Sequence, residues 1–422
     1  MGKAANTSFR RSYRHGDQAP IDRDPREHMR ALAWHGNHDV RVDAVPDPTI
    51  QQPTDAIIRV TSSGICGSDL HLYEVLGPFI EPGDVLGHEP MGVVEAVGAE
   101  VKHIAVGDRV VVPFNISCGH CFMCSKGLQT QCESTQVHEY GTGAALLGYT
   151  KLYGEVPGGQ AEYLRVPQAH YGPIKVPEGP PDDRFVYLSD VLPTAWQAVE
   201  YAAVPPAGTL LVLGLGPIGE MATRVARQRG AGEVIGVDLV PERIARSEAH
   251  GVRALNLEEH DDLPATVREL TDGRGPVSVI DAVGMEAHGA PVARMAHKLV
   301  GLLPDALARP VMQTAGIDRL SALHMAIELV QRGGTVSISG VYGGAASPMP
   351  LIQMFDKQIN IRMGQANVKR WVPEIMPLLE DDSDPLGVES FASHHLALEQ
   401  APHAYEIFQK KEEGAFKILL HP

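Results

Sequence analysis

Thr209–Gly230 reads TLLVLGLGPIGEMATRVARQRG, an apolar strand, a glycine-rich turn and a helix in immediate succession. Gly214, Gly216 and Gly219 fall where the strand ends and the helix begins. The first two let the turn tighten and the backbone approach a pyrophosphate. The third permits close helix packing, and the helix N-terminus adds amide hydrogens and positive dipole. Pro217 and Ile218 complete the turn between the second and third glycines. Asp238 closes the next strand, EVIGVD, 24 residues after Gly214. An acid there would hold the adenosine ribose hydroxyls and oppose the extra phosphate of NADP. NAD is therefore the expected cofactor, while Arg243, five residues further on, could contact either the ribose or a 2′-phosphate.

Outward from this stretch the alternation continues. A helix from Pro241 leads to the strand VSVIDAVG, and later come TVSISGVY and INIRMG. Strands alternating with helices mean a parallel sheet with crossover helices, over residues 192–364. Upstream, residues 29–191 carry short β-rich runs, AIIRV, GVVEAV and RVVVPF, parted by Gly, Pro and Asp turn signals, and read as a compact, mainly β domain. Residues 1–28 have no apolar period and are expected to be a flexible tail. Residues 365–422 lose the alternation, end in a helix and the strand-like FKILL, and are expected to return to the first domain. The fold class is thus α/β in two domains.

Composition excludes several roles. A net charge of −16 repels phosphate backbones, so nucleic acid is not an expected partner. No apolar run reaches membrane length, and the first residues lack the apolar stretch of a secretory signal, so the expected location is cytoplasmic.

Four of the five cysteines, Cys118, Cys121, Cys124 and Cys132, are spaced C-x2-C-x2-C-x7-C. Four thiolates make a closed tetrahedral zinc site with no position left for substrate. Two disulfides, disfavoured in the cytoplasm, or an iron–sulfur cluster are the alternatives. The fifth, Cys66, stands in SSGICGSDLH, and 22 residues later His88 and Glu89 follow in LGHEP. One thiolate, one imidazole and one carboxylate can hold zinc and keep a fourth position open.

GHEPMGVVEAVG, GDRVVVPF, the cysteine loop and GLGPIG come in an order and spacing that resemble the zinc-containing medium-chain alcohol dehydrogenase family, from about Met29 to the end. The resemblance implies a GroES-like catalytic domain joined to a Rossmann domain, two zinc ions per subunit and a homo-oligomer, dimer or tetramer. It implies hydride transfer between NAD and a small alcohol or hydrated aldehyde. Many relatives use a second cysteine as third catalytic ligand, and none remains here. YLSDVLPTAW, with Asp190 at the corresponding place, is similar to the glutathione-independent formaldehyde dehydrogenase branch, where an aspartate serves. Asp190 ranks first, Glu89 second, and Glu162 in GGQAEY is a further competitor, as in polyol- and threonine-type relatives. By the same resemblance Ser68 receives the alcohol proton and His71 passes it to solvent, while Asp69 orients a zinc ligand. Thr194 would lie beside the nicotinamide and Phe114 would wall the substrate pocket.

Between Gly284 and Thr335 stand 50 residues, more than one helix needs. LSALHMAIELVQRG supplies that helix, with Leu320, Leu323, Ile327 and Val330 on one face, so residues 285–317 are extra, either a cofactor cover, a subunit contact or a surface elaboration. A non-catalytic NAD-binding zinc protein is the rival of another class, and a zinc-free reductase the rival within enzymes. Intact Cys66, His88, Ser68 and His71 oppose the first, and the cysteine loop opposes the second.

Overall fold

The computed structural model of the protein describes residues 28–284, 320–342 and 349–422. Residues 1–27 of the expected tail and the extra segment after Gly284 lie outside those residues, and His28, expected to end the tail, opens the first strand instead. An antiparallel pair opens the described chain, β1 (His28–Gly36) with β2 (Asp39–Pro46). The strands β3 (Ala56–Ile65), β4 (Glu89–Val97), β5 (Arg109–Val111), β6 (Tyr163–Val166) and β7 (Ile174–Lys175) then build an antiparallel sheet around β3 and β4. The helices of this region are short: α1 (Gly67–Glu74), α2 (Phe122–Ser125) and α3 (Asp182–Phe185).

With α4 (Val191–Ala202) the architecture changes. The strands β8 (Leu210–Leu213), β9 (Val234–Asp238), β10 (Arg253–Asn256), β11 (Ser278–Asp281), β12 (Thr335–Ile338) and β13 (Asn360–Met363) form a wholly parallel sheet. Its spatial order is β10-β9-β8-β11-β12-β13, two halves wound outward from the centre. That is a Rossmann sheet, whose order reverses between β8 and β11, where a dinucleotide crevice opens at the strands' carboxyl ends. The central strands read as unbroken apolar runs because helices cover both faces, and LLVL of β8 is wholly buried. The covering helices include α5 (Pro217–Gln228), α6 (Pro241–Ala249), α7 (Leu263–Leu270) and α8 (Ser321–Leu329). The expected face of α8 is observed: Leu320, Leu323, Ile327 and Val330 are all buried against this sheet.

After α9 (Leu351–Lys357) and α10 (Val368–Glu380) the chain crosses back. Parallel strands β14 (His394–Ala397) and β15 (Ile418–His421) flank α11 (Ala401–Lys410), and β15 pairs antiparallel with β3. Ile418, Leu419 and Leu420 are fully buried, so the FKILL strand is an interior strand of this sheet, between β14 and β3. No helix among the described residues is long and apolar enough to cross a membrane.

The glycine turn after β8 is tight for a steric reason. Gly214 has φ +84°, open to glycine at no cost, and a Cβ on Gly219 would stand 1.8 Å from the Gly214 carbonyl oxygen. Backbone cannot rotate away as a side chain can. Gly219→Ala is expected to lower stability by about 1–3 kcal/mol. Gly172→Ala, whose Cβ would meet nothing closer than 3.7 Å, should change the denaturation midpoint little. Equal midpoints for the two variants would contradict the packing account.

Candidate functional site

Cys66 and His88 are neighbours because of register. In the β3–β4 pairing Gly64 faces Glu89, so the residue just past the end of β3 and the one just before β4 meet at the same edge. Asp190 arrives from elsewhere, between a 3-10 turn at Val186–Ser189 and the first turn of α4. The Phe114 amide donates to the Ser189 carbonyl at 3.1 Å and ties this segment to the antiparallel sheet.

The donor atoms converge. Cys66 Sγ lies 3.6 Å from Asp190 Oδ2, and His88 Nε2 lies 3.4 Å from the same oxygen. Asp69 Oδ1 stands 3.0 Å from His88 Nδ1, turning Nε2 toward the cluster, while Asp69 Oδ2 accepts from the Cys66 amide at 2.9 Å. Gln160 reaches the same oxygen and accepts from the Tyr405 hydroxyl at 2.8 Å. Ser68 Oγ is 3.3 Å from His88 Nε2. Thr194, expected beside a nicotinamide, donates to Asp190 Oδ1 at 2.6 Å. The rings of Phe114 and Tyr149 stand edge-on to His88, closing the cluster with apolar surface.

Charge explains why the cluster wants a cation. Burial, then Asp190, pushes the Cys66 thiol up. Burial opposes charge on His88, but Asp69 and Asp190 outweigh it and lift the imidazole well above its ordinary value. Burial also opposes charge on Asp190, yet His88 and Thr194 bring its carboxyl below the usual range. Tetrahedral zinc with bonds of about 2.0–2.1 Å to nitrogen or oxygen and about 2.3 Å to sulfur needs donors about 3.3–3.6 Å apart, and the measured separations fit.

The competing carboxylates are placed differently. Glu89 has an oxygen within the donor group of Cys66, His88 and Asp190, but both its oxygens accept from Lys417 Nζ, at 2.7 and 2.6 Å. Glu162 is outside that group. Its carboxylate takes the Arg30 amide at 2.7 Å and the Arg30 guanidinium at 2.8 and 3.1 Å, so the expectation of a third competitor is corrected by this pairing. Lys417, fully buried, escaped the sequence reading altogether. It also donates to the Ile65 carbonyl at 2.9 Å, and nothing local in FKILL signals that role.

All five cysteines of the chain are free of disulfides, and in the loop the sulfurs of Cys118, Cys121, Cys124 and Cys132 cluster within 4.8 Å. Amides of Cys118, Cys121 and Cys124 approach the sulfurs of Cys132, Cys118 and Cys121 at 3.3–3.4 Å, which favours thiolate. Burial opposes the Cys118 thiolate, but hydrogen bonds from Ser134 and from the His120 and Cys121 backbone bring it down to about 6. Gly119, at φ +79°, turns the loop where a Cβ would strike the Tyr171 ring at 2.3 Å. The earlier alternative of two disulfides is thereby set aside.

At the Rossmann turn, Asp238 Oδ2 accepts from the Leu215 amide at 2.7 Å, and Oδ1 accepts from the Leu239 and Val240 amides at 2.7 and 2.9 Å. This fixes the carboxylate beside the glycines. Arg243 lies 3.8 Å from Asp238 and beside Gly216.

A GroES-like β sheet joined to a Rossmann sheet, with a buried thiolate–imidazole–carboxylate cluster, defines the class of zinc-dependent dehydrogenases. Residues 52–178 match the family described as alcohol dehydrogenase GroES-like domain, and residues 217–299 that described as zinc-binding dehydrogenase. The chain is 39% identical to an uncharacterized zinc-type alcohol dehydrogenase-like protein of Bacillus subtilis, over 93% of this chain and 100% of that one. It is 31% identical to a glutathione-independent formaldehyde dehydrogenase of Pseudomonas aeruginosa, over 93% of this chain and 98% of that one. Among solved structures, an alcohol dehydrogenase from Thermus sp. ATN1 superposes with a TM-score of 0.76 at 35% identity, covering 93% of this chain and 99% of that one. The chain belongs to the zinc-containing medium-chain alcohol dehydrogenase family, and it is a zinc-dependent oxidoreductase of that type.

Proposed function

We propose that the protein is an NAD-dependent dehydrogenase of small primary alcohols or hydrated aldehydes, with one catalytic and one structural zinc per subunit. The observation that carries this reading is the spacing of Cys66 Sγ, His88 Nε2 and Asp190 Oδ2, at 3.4 and 3.6 Å about the shared oxygen. Those three residues would hold the catalytic ion and the four cysteines the structural one. Bound there, zinc supplies Lewis acidity toward a hydroxyl oxygen. Glu89, already engaged by Lys417, is the lesser candidate for a ligand.

The chain's own groups do the rest. Ser68, at the His88 edge of the cluster, accepts the substrate hydroxyl proton, and His71, three residues on along α1, passes it toward solvent. Phe114 and Tyr149 exclude water, and burial keeps the Tyr149 phenol neutral by pushing it up. Thr194 positions the Asp190 carboxylate. Gly214, Gly216, Pro217, Ile218 and Gly219 receive the cofactor pyrophosphate at the start of α5, and Asp238 the adenosine ribose.

A polar anchor held by three amides cannot swing aside for a 2′-phosphate. The expected kcat/KM with NAD exceeds that with NADP by at least about tenfold, the worth of about 1.4 kcal/mol. A clear NADP preference would assign Arg243 to the phosphate instead. The wider test counts bound zinc and then follows NAD reduction with primary alcohols, hydrated aldehydes, polyols and threonine. Turnover of the first two classes is expected. Full zinc with no turnover of any would favour a non-catalytic nucleotide-binding protein.

A homo-oligomer belongs to the same proposal. Among the described residues the parallel sheet ends on β13, and Leu351, Ile352 and Phe355 of α9 and Met363 of β13 are exposed, Phe355 by 78%. Light scattering is expected to give a dimer or tetramer.

A further inference from the structure

We propose that Asp183, His395 and His421 form a further metal site, taking a divalent transition ion of the zinc class. It shares no donor with the Cys66 cluster or the cysteine loop. Asp183 lies on α3, His395 on the edge strand β14 and His421 at the end of β15. The β14–β15 register faces Ala397 with His421, so His395, two residues before Ala397, projects on the same face of the sheet as His421.

Three atoms converge. Asp183 Oδ2 is 2.9 Å from His395 Nδ1 and 3.5 Å from His421 Nε2, and the two ring nitrogens are 3.5 Å apart. A triangle of that size has a point about 2.0–2.1 Å from every corner, the length of zinc bonds to nitrogen and oxygen. The donors are also oriented. His421 Nδ1 lies 3.1 Å from the Thr61 carbonyl, which only accepts, so in the neutral ring Nδ1 carries the hydrogen and Nε2 turns its lone pair into the cluster. The Ser62 hydroxyl donates to Asp183 Oδ1 at 2.8 Å, leaving Oδ2 for the two imidazoles. Neighbouring Asp182 is neutralised by Arg109, whereas Asp183 has no lysine or arginine ion-pair partner among the described residues. Its negative charge is therefore available to a cation.

Two imidazoles and one carboxylate suit zinc, copper(II) or nickel more than magnesium or calcium. His395 is partly open to solvent, so water fills the remaining positions and the ion exchanges. The ion would pin both C-terminal strands to α3, whose chain runs on to Asp190.

The test compares zinc binding by wild-type protein with that by His395→Ala and by His421→Gln, each as purified with its resident zinc. Equilibrium dialysis is expected to show one more exchangeable equivalent in the wild type, weakened at least about tenfold in each variant. The dehydrogenase rate of the resident-zinc protein should be the same in all three. Copper(II) added to the wild type should show coupling to two imidazole nitrogens by electron paramagnetic resonance, and to one in His395→Ala. Equal zinc binding by wild type and His395→Ala overturns the site, as does a copper spectrum unchanged by that substitution. His395 is exposed, so its variant keeps the test decisive even where His421→Gln disturbs the strand.

Discussion

Asp190→Ala is expected to remove one of two zinc ions per subunit and to lower kcat/KM by about 10³-fold or more. The ion's electrostatic help to the reacting oxygen is worth several kcal/mol, and each 1.4 kcal/mol is a factor of about ten. Asp190 Oδ2 is the atom common to both close approaches in the cluster, so its loss leaves Cys66 and His88 without a third donor. The four-cysteine loop draws nothing from Asp190 and should keep its metal. Thr194→Val is the graded companion. It deletes one hydrogen bond to Oδ1, worth about 1 kcal/mol, and should lower the rate less than tenfold with both ions kept. Elemental zinc analysis beside steady-state rates decides: an alanine variant that keeps both ions would move the third ligand to Glu89.

How far the sequence speaks depends on how local each feature is. The glycine turn could be read directly because strand, turn and helix are contiguous, and the same steric demands recur in the Gly214–Gly219 approach. The cysteine loop was legible for a like reason, its four donors lying within fifteen residues. Asp190 needed the family resemblance, since it meets Cys66 from 124 positions further along the chain. Glu162 shows the converse error. Its motif gave chemistry but no position, and the fold spends its carboxylate on Arg30. Lys417 and the Asp183–His395–His421 cluster were invisible. Both are made by β15 returning beside β3, and no local pattern encodes which side chains that pairing brings together.

The second large effect follows from that return. Lys417→Met is expected to destabilise the protein by about 3–5 kcal/mol, because it strands the Glu89 carboxylate in the interior without the ammonium that donates a hydrogen bond to each of its oxygens. Both partners are fully buried, and Nζ donates to both Glu89 oxygens as well as to the Ile65 carbonyl. There is no spare room to admit water: a Cβ on Gly64, between β15 and β4, would already stand 2.3 Å from Glu89 Oε2 and 3.0 Å from Nζ. Burial works against charge on both partners: at Lys417 the Glu89 carboxylate prevails and holds the ammonium above its ordinary value, whereas at Glu89 burial prevails over Lys417 and raises the carboxyl. The thermal midpoint of Lys417→Met should fall by several degrees, and Glu89→Met with Lys417→Met should recover most of it, since an apolar pair of similar volume removes both buried charges. The double variant also separates two roles of Glu89. With Asp190 as the ligand it retains both zinc ions, whereas loss of the catalytic ion from a stable double variant would make Glu89 the ligand and Lys417 the group that releases it.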